Sequence, residues 1–189
     1  MIRLMLVDDH PAMRTGLLAV LDAEPGLVPV GAAEHSEEAL ALYQRAKPDV
    51  VLLDVHLPGE SSLVLCRRLK SRPPAPRVLF YSAHADASVG VSVVLAGGDG
   101  LLSKGAPARE LFDAIRTVHR GGTMLPAADP AAVQRVRDAV PEEDRPLMAM
   151  LLDGATPADA GRVMGLDPEA MTRRVDRLLS RLERGVVPV

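Results

Sequence analysis

The sequence is poor in residues on which several classes of protein depend. Its one cysteine, Cys66, excludes an intrachain disulfide and a cysteine metal cluster, and favours a reducing compartment. No apolar run approaches the roughly 18 residues of a transmembrane helix. With no Trp, two Tyr and two Phe, the chain offers few rings for stacking single-stranded nucleic acid. The N-terminus runs from Met1 into acidic residues without a signal-peptide pattern, so we expect a cytoplasmic protein without membrane contact.

Length and charge set only broad limits on the domain count and the partner. At 189 residues, the chain exceeds one average domain and falls short of two. It has 22 Lys and Arg against 25 Asp and Glu, and this net charge of -3 neither favours nor excludes nucleic acid.

Strand-length apolar runs alternate with helical patterns over residues 1–120. The runs are continuous rather than alternating, as in parallel strands buried on both faces. Five such units in succession predict an α/β fold, a doubly wound five-stranded parallel sheet of the flavodoxin-like type. The predicted strands are 3–7, 27–32, 50–53, 78–82 and 101–102, and the helices between and after them are 11–23, 36–46, 61–71, 87–96 and 107–120.

The remaining residues predict a linker and a small all-α domain. Residues 121–140 are rich in turn formers and include a short helix from Pro130. Residues 141–189 carry helical patterns at 145–152, 157–164 and 168–182. Each pattern follows a residue that favours helix N-caps: Asp144, Thr156 and Asp167.

Polar residues follow four of the predicted strands where each strand ends. They are Asp8, Asp9, Asp54, Ser82 and Lys104. Functional groups of an open parallel sheet gather beyond the carboxyl ends of its strands, so we expect these side chains to meet. Converging carboxylates require a cation, and Mg²⁺ is the natural one for hard oxygens beside phosphate. Such a pocket suits phosphoryl transfer, with Asp54 as the nucleophile and Lys104 and Ser82 on the phosphoryl oxygens.

Each of these residues also has an ordinary structural explanation. The Asp8–Asp9 pair suits the cap of the helix that starts near Pro11, Asp54 suits a turn, and a lone lysine such as Lys104 usually lies in solvent. Coincidence is a poor explanation for all of them together at four strand ends.

The motifs at the strand ends resemble the receiver domain of bacterial response regulators. They are LVDDH at 6–10, VLLDVHLPG at 51–59, YSAH at 81–84 and GGDGLLSK at 97–104. The resemblance implies that Asp54 accepts a phosphoryl group from a partner histidine kinase. It further implies Mg²⁺ ligation by Asp9, Asp54 and the backbone carbonyl of His56, with Asp8 acting through water, and phosphoryl contacts from Ser82 and Lys104.

One position departs from the receiver pattern. The family commonly has an aromatic residue three positions before the lysine, and here that residue is Leu101. The departure affects the part of the switch that depends on an aromatic rotamer, not the phosphorylation chemistry. Motifs of P-loop enzymes, serine hydrolases and haloacid dehalogenases are absent, so we expect no enzymatic activity beyond phosphorylation and dephosphorylation at Asp54.

The pattern at 156–171, with a capped helix, a Gly turn and a second capped helix, resembles the LuxR-type helix-turn-helix. Together with a receiver this implies a response regulator of the NarL/FixJ class, a DNA-binding transcription regulator that dimerises when active. Met171, Val175 and Leu178 form the start of a buried stripe on the second helix. The opposite face presents the candidate DNA contacts Thr172, Arg173, Asp176 and Arg177.

Three features favour a second hypothesis for this domain. The family often has a lysine at the position of Thr172, a histidine at that of Arg174 and a basic residue at that of Asp176. Residues 141–189 hold seven Arg against nine Asp or Glu, a balance that does not favour binding to phosphates. The family also usually continues past Val189 into a fourth helix. The alternative is therefore a phosphorylation-responsive switch whose degenerate helix-turn-helix docks on a protein instead of DNA.

Overall fold

The computed structural model describes residues 1–127 and 129–186. Its strands are β1 (Ile2–Val7), β2 (Leu27–Ala33), β3 (Val50–Leu53), β4 (Arg77–Ser82) and β5 (Gly100–Ser103). The helices that alternate with them are α1 (Pro11–Asp22), α2 (Ser36–Ala46), α3 (Ser62–Lys70), α4 (Ala87–Leu95) and α5 (Ala108–His119). The helices that follow are α6 (Pro130–Ala139), α7 (Arg145–Leu152), α8 (Pro157–Met164) and α9 (Pro168–Val186), with a 3-10 helix at Glu142–Asp144. Within these ranges every helix is too short or too polar to traverse a lipid bilayer.

The five strands form one parallel sheet in the order β2-β1-β3-β4-β5. This arrangement confirms the predicted doubly wound fold. Strand order reverses between β1 and β3, where Val7 pairs with Leu53. The next residues, Asp8 and Asp54, therefore emerge side by side at the crevice where such sheets place their ligands.

Two apolar layers hold the helices on the sheet. On one face, Leu17 and Leu21 of α1 pack with Leu111 and Ile115 of α5. On the other face, α2, α3 and α4 contribute a layer in which all of the α3 leucines are buried. The sheet is thus covered on both sides, as its continuous apolar strands predict.

The C-terminal helices add a third layer outside α3 and α4. Helix α9 contacts α3, α4 and α6, and α4 also contacts α6 and α7. Val175, Leu179 and Leu182 of α9 are buried in the same apolar cluster as Val89 and Val93 of α4. The last helix is therefore docked on the first domain by a continuous core.

The segment after α5 runs back along the free edge of β5. The backbone N–H of Met124 donates to Asp99 (3.0 Å), and the N–H of Leu101 donates to Met124 (2.7 Å). Gly100 permits this approach, since a Cβ there would lie 3.1 Å from the Met124 carbonyl oxygen. The linker thereby covers the backbone groups of an exposed sheet edge.

All three predicted N-cap residues of the C-terminal domain directly precede their helices, and two of them cap with the side chain. Thr156 forms a capping box with Asp159, and Asp167 Oδ1 accepts the N–H of Ala170 at 2.8 Å. Asp144 makes no cap hydrogen bond, because its carboxylate binds the guanidinium of Arg174 at 2.6 Å instead.

Candidate functional site

The carboxyl ends of β1, β3, β4 and β5 bring the predicted pocket residues together. The backbone fixes their positions: Asp54 N–H donates to Val7 (2.8 Å), and Lys104 N–H donates to Ser82 (2.7 Å). Asp8, Asp54 and Ser82 are buried, whereas Asp9 lies at the partly exposed rim. The sequence prediction placed these residues correctly because parallel strands end at one edge.

Lys104 bridges two carboxylates at the centre of this pocket. Its Nζ lies 2.7 Å from Asp8 Oδ2 and 2.6 Å from Asp54 Oδ2. Burial of the ammonium opposes its charge, but hydrogen bonds and charges from Asp54 and Asp8 outweigh that cost and raise the pKa of Lys104. The lysine therefore stays protonated, and its one positive charge offsets part of the negative charge of the two carboxylates.

The acidic residues around Lys104 fit a divalent cation. Ligand atoms of Asp8, Asp9, His10 and Asp54 lie within 4.8 Å of one another. His10 Nδ1 lies 2.7 Å from Asp9 Oδ1, but among the described residues this buried oxygen accepts no hydrogen bond. Three carboxylates that lie this close together suit a hard cation such as Mg²⁺.

The pocket is completed by short turns after β3 and β4. Asp54 Oδ1 accepts the N–H of His56 (3.2 Å), and Ser82 Oγ accepts the N–H of His84 (3.1 Å). Both side chains are thus oriented by the backbone two residues further on. The Tyr81 hydroxyl, which sequence reasoning did not select, donates to the Lys104 carbonyl at 3.3 Å.

Cys66 takes no part in this pocket. It is fully buried in α3, and its Sγ lies 3.5 Å from the Ala96 carbonyl oxygen. Burial raises the pKa of its thiol, so the thiol stays protonated and unreactive.

Leu101 has a packing role in the same structure. It is buried in the apolar cluster that also includes the C-terminal helices, and its N–H holds Met124 of the linker. The residue that replaces the usual aromatic is therefore joined to the linker.

The four predicted DNA contacts occupy two different environments on α9. Thr172, Arg173 and Arg177 are exposed, and Arg173 pairs with Glu169 at 2.7 Å. Asp176 is partly buried and binds Arg67 of α3. The role of these residues in DNA binding stays a prediction, but Asp176 is engaged within the protein.

Sequence patterns did not indicate that Arg67 of α3 is the partner of Asp176. Arg67 donates from Nε to Asp176 Oδ1 (2.8 Å), and its Nη2 lies 2.6 Å from the same oxygen. Further along α9, Glu183 reaches the start of α3 at Ser61. These partners lie more than 100 positions apart, so no local pattern connects them.

Comparisons with known proteins agree with these observations. The family model described as "Response regulator receiver domain" matches residues 4–116. The DNA-binding transcriptional activator DevR/DosR of Mycobacterium tuberculosis is 34% identical over 192 residues, covering 96% of this chain and 88% of that protein.

Two solved structures resemble the present fold. A LuxR-family two-component response regulator from an Aurantimonas species is 31% identical, with a TM-score of 0.62 over 70% of this chain and 93% of that chain. The response regulator RcsB, in a complex with DNA, has a TM-score of 0.62 over 96% of this chain and 92% of its own. Its identity is 14%, so this second likeness concerns the fold alone.

Proposed function

This chain belongs to the response regulators that carry a receiver domain, and from that premise we propose that phosphorylation of Asp54 controls DNA binding by α9. The protein is a two-component response regulator of the NarL/FixJ class that controls transcription, and a regulator rather than a classical enzyme. The observation that carries the proposal is the Lys104 ammonium within 2.7 Å of both the Asp8 and the Asp54 carboxylates.

The phosphoryl transfer follows from this arrangement. A carboxylate oxygen of Asp54 attacks the phosphorus of a phosphohistidine on the partner kinase, the P–N bond breaks, and the imidazole leaves. Lys104 then turns from the carboxylates toward the phosphoryl oxygens, and the Ser82 hydroxyl donates to them. Loss of the phosphoryl group to water at Asp54 resets the switch.

A Mg²⁺ ion would be held by Asp9, Asp54 and the His56 backbone carbonyl, with Asp8 acting through a bound water. When bound, the ion neutralises charge on the phosphoryl oxygens. The close approach of the Asp8, Asp9 and Asp54 oxygens supports this assignment. His10 adds a ring nitrogen close to the same cluster.

The output is assigned to the exposed face of α9. Thr172, Arg173 and Arg177 would contact phosphates and base edges once the helix enters the major groove. Support comes from DevR/DosR, which is named a DNA-binding transcriptional activator and aligns with nearly all of this chain. The relatives therefore favour DNA over the alternative protein-docking output.

In this proposal phosphorylation frees α9 from the receiver, because docking engages Asp176 with Arg67. The arriving phosphoryl group carries a charge of about -1.5 to -2, which draws Lys104 away from Asp8 and rearranges the pocket loops. Helix α9 leaves α3 and α4 as the loops move, and Asp176 loses Arg67.

The domain limits and partners complete the proposal. We assign residues 1–120 to the receiver, 121–140 to the linker and 141–189 to the helix-turn-helix domain, of which 187–189 lie outside the described residues. The partners are a cognate histidine kinase, double-stranded DNA and, in the active state, a second copy of the chain. We expect the protein to be cytoplasmic, as the proposed DNA-binding role requires.

Labelling with acetyl phosphate tests the phosphorylation site. With Mg²⁺ present, the wild-type protein and Cys66→Ser are expected to form one acyl phosphate, resolved as a shifted band on a phosphate-affinity gel. Asp54→Asn is expected to remain unlabelled. A labelled Asp54→Asn protein would overturn the assignment of this pocket.

A further inference from the structure

The last turns of α9 contact the first turn of α3 through one carboxylate. Glu183 accepts hydrogen bonds from the Ser61 hydroxyl and from the N–H groups of Ser62 (3.3 Å) and Leu63 (3.5 Å). Ser61 is the N-cap of α3, so these N–H groups have no partner within the helix. A carboxylate from the output helix thus binds the positive end of a receiver helix.

This contact depends on the docked position of α9. Desolvation by the surrounding protein raises the pKa of Glu183 despite its hydrogen bonds to Ser61, Ser62 and Leu63. The carboxyl group of Glu183 therefore ionises less readily here than it would in water. The neighbouring Leu179 and Leu182, both fully buried, hold the helix in place.

Hydrogen bonds continue from α3 to the phosphoacceptor. The buried Ser62 donates its hydroxyl to the Val55 carbonyl oxygen at 2.5 Å. The following residue, His56, donates its N–H to Asp54 Oδ1 at 3.2 Å. One connected path therefore runs from Glu183 through Ser62 and the Val55–His56 peptide to the carboxylate of Asp54.

We propose that Glu183 is a positioning residue for Asp54: it fixes the start of α3, and thereby holds the 54–62 loop in the unphosphorylated arrangement. This inference rests on the proposed function, in which phosphorylation releases α9. Coupling between two sites is reciprocal. If phosphorylation weakens the docking of α9, then contacts that stabilise docking weaken the binding of the phosphoryl group by the same factor. Removing them makes the pocket bind a phosphoryl mimic more tightly.

Helices α9 and α3 share a second contact. Arg67 binds Asp176 two turns before Glu183 along α9. The two contacts hold α3 at its start and at its middle, so α9 restrains this helix as a unit. Signal transfer through α3 follows from this geometry.

Beryllofluoride binding to the full-length protein tests the proposal without DNA. The mimic is titrated at fixed Mg²⁺ and followed by ¹⁹F NMR of the bound fluorides. Glu183→Ala removes the hydrogen-bond acceptor. We expect the beryllofluoride concentration at half-saturation to fall about fivefold or more, which is a typical size for allosteric coupling. Glu183→Gln keeps one acceptor oxygen and loses the other, so its half-saturation concentration should lie between those of the wild type and Glu183→Ala. Glu169→Gln, on the exposed start of α9, is the matched control and should bind as the wild type does.

A double-mutant cycle with Ser62→Ala tests the path itself. This substitution breaks the bond to Val55 without touching α9. If the path carries the coupling, Glu183→Ala should change beryllofluoride binding by less than twofold in the Ser62→Ala background. An undiminished effect would contradict the path.

The outcomes distinguish a failure of the Glu183 inference from a failure of the Asp54 assignment. If the wild type binds beryllofluoride and Glu183→Ala binds it equally well or more weakly, the inference is overturned and the proposed function stands. If the wild type shows no Mg²⁺-dependent binding, the phosphoacceptor assignment fails and the inference fails with it.

Discussion

Arg67 of the receiver and Asp176 of the output helix form an ion pair whose shortest N–O distance is 2.6 Å. Both side chains are largely shielded, at 15% and 23% exposure, so solvent screens the pair less than an ordinary surface contact. Asp176 lies on the helix face that the sequence assigns to DNA. Because one carboxylate cannot serve both partners, docking and base reading by Asp176 exclude each other.

Arg67→Glu is expected to raise DNA binding in the absence of phosphorylation. The change sets two carboxylates against each other at Asp176 and weakens docking, while the DNA-facing residues remain intact. We expect an affinity gain of about tenfold, within the usual range of allosteric coupling. Fluorescence anisotropy on a duplex at fixed salt measures it.

Arg109→Glu is the control for this experiment, since it makes the same charge change at an exposed position of α5. Equal effects of the two substitutions would show that net charge, not release of α9, governs the affinity.

Lys104→Met is expected to strengthen Mg²⁺ binding while weakening beryllofluoride binding. The ammonium occupies both Asp8 and Asp54, so its removal eliminates a competing cation. The same change removes a charge that the phosphoryl oxygens require. Isothermal titration calorimetry separates the two effects, with the exposed Lys47→Met as the control. Unchanged Mg²⁺ affinity would argue against competition at these carboxylates.

Cys66 should resist alkylation by iodoacetamide across pH 7 to 9. A free thiol with a pKa of about 8.5 reacts faster as pH rises through this range, because its thiolate fraction grows. Burial raises the pKa of Cys66, so the thiolate fraction of Cys66 in the folded protein does not grow over this pH range. Mass spectrometry of the alkylated chain measures the rate, with the urea-unfolded protein as the control. A folded-state rate that follows the free-thiol profile would contradict this account.

Gly100→Ala and Gly16→Ala should change stability in opposite directions. A Cβ at Gly100 would lie 2.8 Å from Leu79 Cδ1 and 3.1 Å from the Met124 carbonyl oxygen, so we expect a loss of about 1–3 kcal/mol. A Cβ at Gly16, inside α1, has open space, so we expect a gain of about 0.5–1 kcal/mol. Urea unfolding measures both. Equal stabilities would show that the linker yields to the added methyl group without cost.

The receiver pocket could be predicted from the sequence because its residues lie at the carboxyl ends of the strands. The β3 limits, Val50–Leu53, match the prediction, and Asp54 follows them directly. Strand ends are local features, marked by an apolar run and the polar residue after it. Parallel pairing then brings Asp8, Asp54 and Lys104 together whatever the helices do.

Local sequence patterns could not predict which surface α9 packs against. Its apolar stripe was correctly predicted to be buried, but the partner of a stripe cannot be inferred from its period. The helix ends at Val186 rather than at 182, and Glu183 on this extra turn reaches Ser61. The linker pairing of Met124 was missed for a similar reason, since one residue on a sheet edge has no periodicity.

The most direct test of the central claim, that Asp54 phosphorylation controls DNA binding by α9, is selection from a random duplex library with and without beryllofluoride and Mg²⁺. We predict that an inverted repeat is enriched, and that beryllofluoride strengthens the enrichment. Equal enrichment under both conditions would contradict control by Asp54. No enrichment even at low salt would contradict DNA binding itself.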